Sequence, residues 1–588
     1  MQIHLHQTHQ TIGDFSNIFS YLKTNFESGP SGLHLFPELF LCGYPLKDLC
    51  LQKLFIDQYL DFIQKLEEWT LGLEKEVNRC ALAGGLEYKL DDNGLPLNIY
   101  NVILEIRPGH KVRSLYKKRL LPNYDIFDEE KYYSPGTENG FYEFQGKKLG
   151  LLICEDMWSS SMHDIDPIEI MHEETKEKNI EVDLIVNLSA SPFHMGKHEK
   201  RHLRAQEISK AFGAPFCYVN KVGGEDEILF DGGSFFWSGD TLIKQACFFE
   251  QEIIQLDLEK ETKPEKQTYL KQKKENTWEA LFSPQINFSN SKKSLPILQP
   301  LTDKKAELLE SALIFGLQEY TEKTGFNKFT IALSGGLDSS LVCTLARIGL
   351  KSGQSLEAIF MPGLYTSSES YNLSYELCEN LGIPLRTLPI KFFHSSIKNA
   401  FSDVFKQPFE GLADENIQSR LRGALLYARS NQENSLVINT SNKSELAVGY
   451  STLYGDSVGA ISMLGDIYKS EVFDLARYIN KKAGQDVIPN GIIERPPSAE
   501  LREDQKDEDS LPPYERLDAI LELIMSYRKN LHQIVELGFD EKEIKRVYQL
   551  YEKSEYKREQ FCPIIKVKPK SFGYGHRVPL THIGFNQL

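Results

Sequence analysis

From Met1 to about Asp240, short apolar runs alternate with amphipathic stretches. Leu149–Cys154, Asp183–Leu188 and Phe216–Val219 are largely apolar runs of strand length and predict buried strands, and Glu68–Asn78 predicts a solvated helix. This alternation is that of an α/β domain. The pattern breaks between about Leu256 and Pro300. Glu259–Lys274 is rich in Lys, Glu and Thr, Ser289–Lys293 is polar, and Pro284, Pro296 and Pro300 punctuate the stretch, which predicts a surface connector. A second α/β unit starts near Leu301. Lys304–Glu322 has helical apolar spacing, Phe329–Leu333 predicts a buried strand, a Gly-rich turn follows, then a helix from about Asp338 to Leu350 and a strand at Leu356–Met361. Strand, turn, helix, strand is a βαβ unit, and its turn lies where doubly wound sheets bind ligands. The expected organisation is therefore a domain over 1–255, a connector over 256–300 and a domain over 301–588, with no internal repeat.

Composition narrows the class. The 588 residues are too many for one ordinary core, and 41% hydrophobic with 26% charged residues is the balance of a globular protein. No apolar run approaches the roughly 20 residues that span a bilayer. Met1–Gln10 holds His4, His6 and His9 and no long apolar block, so no signal peptide and a cytoplasmic location are expected. A formal charge of −16 disfavours a polynucleotide partner, while a small phosphorylated ligand needs only a local cationic pocket. The nine cysteines include no CxxC pair, which argues against a disulfide framework or a Cys-rich zinc site and raises the question of a nucleophile.

Three strings answer it: Phe36-Pro37-Glu38-Leu39 followed by Cys42-Gly43-Tyr44-Pro45, then Tyr116-Lys117-Lys118-Arg119-Leu120-Leu121-Pro122-Asn123-Tyr124, then Ile153-Cys154-Glu155-Asp156-Met157-Trp158. A strand-end cysteine presents its sulfur to a pocket but needs a base to ionise it and a cation for the oxyanion it creates. Glu38 supplies the base and Lys118 the cation. Singly, each string also reads as a buried small residue, a solvated basic face or a turn. Together they resemble the nitrilase-like carbon–nitrogen hydrolase family, whose catalytic set is Glu, Lys, Cys, and in particular its glutaminase branch fused to NAD synthetases. The family's lysine stands three residues before the leucine of the Leu-Pro-Asn-Tyr string, here Leu121, which selects Lys118 over Lys117. In the fourth string, Asn187-Leu188-Ser189-Ala190-Ser191-Pro192-Phe193-His194-Met195-Gly196-Lys197, the resemblance implies that Ser191 and Lys197, with Tyr124, hold glutamine.

A second constellation lies between strand and helix: Leu333-Ser334-Gly335-Gly336-Leu337-Asp338-Ser339-Ser340. Glycines turn the backbone N–H groups toward an anion, serines add donors, the helix start adds its dipole, and Asp338 can hold a Mg²⁺ that bridges phosphates. The Gly-Lys-Ser/Thr ending of the Walker loop is missing, so γ-phosphate transfer is not implied. The string resembles the loop of the ATP pyrophosphatase superfamily, which splits ATP between its α and β phosphates. Downstream, Met361–Ser368, Glu415–Gly423, Asn439–Glu445, Gly449–Asp456, Gly465–Lys469, Pro497–Leu501 and Lys570–Gly573 resemble NAD synthetases string by string.

What that resemblance implies is specific. The N-terminal domain is a nitrilase-like α-β-β-α sandwich and the C-terminal domain a Rossmann-like doubly wound parallel sheet. Thr440 and Lys469 contact ATP. Asn416, Glu445 and Lys570 contact deamido-NAD, and Asp338 and Glu445 bind Mg²⁺. The small-molecule partners are glutamine, ATP and deamido-NAD, and the chain forms a homo-oligomer, a dimer or larger, with no nucleic-acid or membrane partner. Most side chains of the acidic run Glu500–Asp509 are expected in a solvated loop. Ser441 stands where the family often has Gly, and His576-Arg577 where two arginines are expected. Two rival readings are weaker. GMP and asparagine synthetases share the ATP loop but resemble different glutaminase folds, and a catalytically dead scaffold would have lost Glu38, Lys118, Cys154 or Asp338.

Overall fold

The computed structural model describes residues 1–158, 162–261, 263–267, 286–288, 295–503, 505 and 507–581. The chain divides into two units, Met1–Leu281 and Phe282–Leu588.

The first unit holds β1 (Gln2–Gln7), β2 (Gly32–Leu35), β3 (Arg79–Leu90), β4 (Pro96–Ile106), β5 (Arg113–Lys117), β6 (Gly140–Phe144), β7 (Lys147–Ile153), β8 (Leu184–Ser189), β9 (Phe216–Asn220), β10 (Val222–Glu225), β11 (Ile228–Asp231), β12 (Phe235–Ser238), β13 (Thr241–Gln245) and β14 (Glu252–Asp257). They form two six-stranded sheets, in the orders β14-β1-β2-β3-β4-β5 and β13-β12-β9-β8-β7-β6, with β10-β11 a separate hairpin. Alternation along each strand builds the layers. Ile3, Leu5, Leu33, Leu35, Leu82 and Ile103 of the first sheet meet Leu149, Leu151, Ile153, Leu184, Val186 and Val219 of the second in one buried core. The opposite face of the first sheet packs on Ile18 and Leu22 of the helix Phe15–Leu22 and on Tyr59, Phe62 and Leu66 of the helix Lys53–Gly72. The opposite face of the second sheet, with Leu152 and Ile185, packs on the helices Pro167–Glu177 and Lys197–Phe212. This is the expected α-β-β-α sandwich. Both faces of β7, β8 and β9 are covered, which is why their sequences read as apolar runs.

In the second unit, β15 (Ile286–Asn287) and β16 (Ile297–Leu298) form a short hairpin. β17 (Lys328–Ala332), β18 (Ser355–Phe360), β19 (Leu385–Thr387), β20 (Leu436–Asn439) and β21 (Ile461–Ser462) form a sheet in the order β19-β18-β17-β20-β21, every neighbouring pair parallel. The order reverses beside β17, so this is the expected doubly wound sheet, and the loop after β17 sits at its switch point.

Three expectations are corrected. The helix expected over Glu68–Asn78 belongs to Lys53–Gly72 and stops at Gly72, where Leu73 turns extended. The expected connector begins too early, because β14 runs to Asp257 in antiparallel register with β1 and buries Leu256, with Leu258 buried just after it. Near the connector's other end, Ile286 and Leu298 are buried in the core of the second unit. The middle of the connector lies outside the described residues.

Candidate functional site

The first constellation assembles at strand ends. Glu38 follows β2, and Gly84 of β3 makes room for its loop: a Cβ there would stand 2.2 Å from the Leu39 nitrogen. Lys118 follows β5 and Cys154 follows β7. Cys154 has φ +43° and opens a tight turn, Cys154–Met157, a strained conformation of the kind found where a side chain must be aimed.

The Lys118 ammonium donates to Glu38 Oε1 at 2.7 Å and to both oxygens of Glu129, at 2.9 and 2.7 Å. Glu38 Oε1 also accepts from Asn101 Nδ2 at 2.7 Å, and its Oε2 accepts the Ala190 N–H at 2.9 Å. The Tyr44 hydroxyl donates to Glu129 at 2.9 Å. All of these side chains are buried. Burial by itself would depress the Lys118 pKa, but Glu129 and Glu38 hold it well above the usual lysine value. Burial pushes the Glu129 carboxyl up to about 7 against the pull of that cation. Burial also pushes the Cys154 thiol well up; the Glu38 charge adds to this and Lys118 opposes it. The resting group is thus a thiol, beside a carboxylate that can take its proton and an ammonium that can face a new negative charge.

The glutamine-binding candidates surround this centre. The Ser191 hydroxyl accepts from Arg201 Nη2 at 3.1 Å, and Arg201 is itself fixed by both oxygens of Asp231 at 2.8 Å. The Tyr124 hydroxyl donates to Glu155 at 3.1 Å. Lys197 opens the helix Lys197–Phe212; burial, and then the positive charge of Arg201, lower its pKa to about 8.

In the second unit the loop Leu333–Gly336 leads into the helix Leu337–Ile348. Gly335 has φ +82°, and a Cβ there would stand 2.5 Å from the Ser370 carbonyl oxygen, so only glycine fits. Ser334, Ser339 and Ser340 knit the turn: the Gly336 N–H reaches Ser334 Oγ at 3.2 Å, and the Ser339 and Ser340 hydroxyls donate to the Gly336 carbonyl at 3.1 and 2.8 Å. Leu333, Ser334, Gly336, Leu337, Asp338 and Ser339 line a pocket with Thr440, Glu445 and Lys469 in its wall. The Lys469 ammonium pairs with Asp338 Oδ2 and stands 3.5 Å from Glu445 Oε1, while Asn442 Nδ2 donates to Asp338 Oδ1 at 3.0 Å. Burial, with the negative charge of Asp338, pushes Glu445 up to about 8. Two carboxylates crowded on one ammonium beside a phosphate-type loop suit a divalent cation that arrives with phosphates. Among the described residues no group of three His, Cys, Asp or Glu stands ready to hold a metal by itself.

Other candidates lie apart from that wall. Gly335 and Ser340 belong to the loop but do not line the pocket. Asn416 accepts from the Thr452 hydroxyl at 2.8 Å, and the Lys570 ammonium donates to the Gly575 carbonyl; neither residue lines the pocket. Most of the acidic run is expected to be solvated; two of its members, Glu500 and Asp507, are held by partners instead. Glu500 accepts from Arg495 Nη2 at 2.6 Å and from the hydroxyls of Ser367 and Ser370 at 2.9 and 2.8 Å, and buried Asp507 accepts from the Tyr514 hydroxyl at 2.9 Å. Both line the pocket.

The comparisons with known proteins match both halves. A carbon-nitrogen hydrolase model matches residues 6–263 and an NAD synthase model residues 309–561. The glutamine-dependent NAD(+) synthetase of Thermotoga maritima is 35% identical, covering 99% of this chain and 98% of its own; that of Synechocystis sp. is 34% identical, covering 98% of each. This chain belongs to the glutamine-dependent NAD(+) synthetases. The solved glutamine-dependent NAD+ synthetase of Acinetobacter baumannii, in complex with ADP, is 28% identical with a TM-score of 0.69 over 98% of both chains. The Cytophaga hutchinsonii enzyme, at 18% identity and TM-score 0.77 over 100% of this chain and 98% of its own, shares the fold.

Membership in the glutamine-dependent NAD(+) synthetases makes the chain an ATP-dependent amide ligase that takes its nitrogen from glutamine. Lys570 lies beyond the NAD synthase match. Glu129, Asn101 and Arg201 were missed from the sequence, because no local motif marks them and only the fold brings them to Glu38 and Ser191. The two adjacent lysines offer a test. Lys117 faces outward, paired with Glu87 at 2.5 Å, each about a third exposed. If Lys118 faces the oxyanion as the resemblance implies, Lys118→Ala lowers glutamine turnover about 10²–10³-fold, as loss of an oxyanion donor does, whereas Lys117→Ala stays within about twofold, as for a surface pair. Glutaminase kcat of the two variants, compared side by side, checks this; equal losses would remove Lys118 from its role.

Proposed function

We propose that the first unit hydrolyses glutamine with Cys154, Glu38 and Lys118, and that the second adenylates and amidates deamido-NAD at the Leu333–Ser340 loop. The observation that carries the reading is the buried Lys118 ammonium bridging Glu38 and Glu129 beside a strand-end cysteine. Glu38 takes the Cys154 proton as the sulfur attacks the glutamine amide carbon. Lys118 faces the oxyanion. The C–N bond breaks as the proton passes to the leaving nitrogen, and ammonia departs. Water, giving its proton to Glu38, then attacks the thioester and releases glutamate and the thiol.

In the second unit the carboxylate of deamido-NAD attacks the α-phosphorus of ATP and pyrophosphate leaves. Ammonia attacks the acyl adenylate, losing a proton, and AMP leaves with NAD as product. A carboxylate is a poor electrophile at neutral pH, which is why it must first be adenylated. The loop N–H groups and Lys469 hold the phosphates, Thr440 contacts ATP, and Asn416, Glu445 and Lys570 contact deamido-NAD. Asp338 and Glu445 would hold Mg²⁺, which screens phosphate charge when bound. No helix among the described residues is long and apolar enough to cross a membrane. A homo-oligomer working in the cytoplasm completes the reading. Incubation with glutamine, ATP, Mg²⁺ and deamido-NAD should give NAD, AMP, pyrophosphate and glutamate; ADP and orthophosphate instead would overturn the assignment of the loop.

Lys197 gives the glutaminase a pH limit. With its pKa lowered to about 8, the ammonium is present below that pH and lost above it. If it holds the glutamine α-carboxylate, kcat/KM for glutamine falls as pH rises through about 8, and Lys197→Arg, charged throughout, removes that limb. A limb unchanged in Lys197→Arg would assign it to another group.

A further inference from the structure

Lys118 and Cys154 belong to different sheets of the first unit, Lys118 after β5 and Cys154 after β7. The surfaces between those sheets are apolar, with Tyr116, Leu151 and Ile153 among them. Apolar packing has no direction and does not by itself set a sulfur against an ammonium. Asp156 supplies direction. Its side chain is fully buried. Oδ1 accepts the N–H groups of Arg119 at 3.0 Å and Leu120 at 2.8 Å. Oδ2 accepts the Tyr116 hydroxyl at 2.9 Å and the Ile153 N–H at 3.0 Å. Three of these donors stand within two residues of Lys118, and the fourth immediately precedes Cys154. One carboxylate, through four hydrogen bonds to a charged acceptor, therefore ties the segment bearing the cation to the turn bearing the sulfur. The strained backbone of Cys154 gives that tie a task, since a residue at φ +43° persists only where its surroundings hold it.

We propose that Asp156 is a positioning residue of the glutaminase: it sets the Cys154 sulfur against the Lys118 ammonium, and so governs the rate of acyl transfer rather than the affinity for glutamine. This rests on the reading of Cys154 as the nucleophile.

Asp156→Asn keeps the size of the side chain but turns N–H groups toward N–H and O–H donors. Tyr116→Phe removes one donor and adds no clash. Both variants are made in the full chain. Active sites are counted by labelling Cys154 to completion with a diazoketone analogue of glutamine and weighing the product by mass spectrometry, so that unfolded molecules do not enter the rate. Glutaminase kcat per labelled site is expected to fall about 10²-fold in Asp156→Asn, the usual cost of displacing a reacting group by an ångström. It should fall less in Tyr116→Phe, with the glutamine KM little changed in both. A merely structural role would lower the thermal midpoint and the number of labelled sites but leave turnover per site at the parent value; that result, or a loss confined to KM, overturns the proposal. Should Asp156→Asn yield no folded protein, Tyr116→Phe decides by the same criterion. Cys154→Ala measured in parallel separates the two failures. If it still hydrolyses glutamine, the nucleophile reading fails and the role of Asp156 falls with it. If it is inactive while Asp156→Asn turns over normally per site, only the positioning role fails.

Discussion

Cys154→Ala should stop NAD formation from glutamine while NAD formation from ammonium continues at the parent rate. The thiolate is the only part of the proposed glutaminase centre that bonds to substrate carbon, and neither Glu38 nor Lys118 can replace it. Loss of a covalent nucleophile removes the thioester route, so glutamine turnover should fall by about 10³-fold or more. The variant has little reason to unfold, because among the described residues the sulfur makes no hydrogen bond that organises the turn. The Cys154 carbonyl, which accepts from Asn187 Nδ2 at 3.3 Å, is kept, as are the bonds among Lys118, Glu38 and Glu129. The second unit has its own loop, cation and carboxylates within Phe282–Leu588, and among the described residues no cysteine lines its pocket. Ammonium supplied at a pH where free NH₃ is appreciable therefore replaces the missing product. The measurement is paired: NAD formed per minute with glutamine, and with ammonium chloride, in the same preparation. A parallel fall in both would make Cys154 structural, and full activity with glutamine would remove it as the nucleophile.

The chemistry-bearing residues were legible where they sit in contiguous strings, and the fold was legible where burial is two-sided. β7, β8 and β17 are covered on both faces, so their sequences are nearly unbroken apolar runs. Leu333–Ser340 is one continuous loop, and its glycine requirement is local to Gly335. Glu129 is the opposite case. It reaches Lys118 from a short turn, Glu129–Lys131, with no periodicity or flanking motif, and only the path of the chain after β5 explains it. Asp507 was hidden differently. In a run of charged residues the sequence records an average, and the average is solvated; the Tyr514 hydroxyl and the Lys469 charge single out one member and bury it. The start of the connector was misplaced because β14 alternates as an edge strand, with Ile254 and Leu256 inward and Ile253 and Gln255 outward, so its polar half resembles a linker.

Asp338→Ala should abolish NAD formation with either nitrogen source and leave glutamine hydrolysis measurable. Asp338 stands on the first turn of the helix Leu337–Ile348, where its carboxylate pairs with Lys469 and accepts from Asn442 at 3.0 Å. Three effects follow from removing it. On the proposed reading, the loop loses a carboxylate that would share a divalent cation with the ATP phosphates. Lys469, buried and held well above its ordinary pKa by Asp338 and Glu445, is left with Glu445 at 3.5 Å as its ion-pair partner among the described residues, so its ammonium is expected to shift toward Glu445. Asn442, which caps the helix Lys443–Val448, loses one partner while keeping its bond to the Glu445 N–H at 3.0 Å, so the cap itself survives. The first two effects act on the charge that develops as pyrophosphate leaves. Together they should lower pyrophosphate release by about 10³-fold or more, given that a single electrostatic group commonly accounts for about 10²–10³. Asp338 lies outside the buried apolar clusters, so the thermal midpoint should move far less than the rate. Pyrophosphate release and NAD formation are measured with ammonium, and glutamate release with glutamine, on one preparation. Pyrophosphate release at the parent rate would show that the Leu333–Ser340 loop does not bind the ATP phosphates. Loss of glutamate release as well, in a folded variant, would show that the first unit's chemistry depends on an occupied second site.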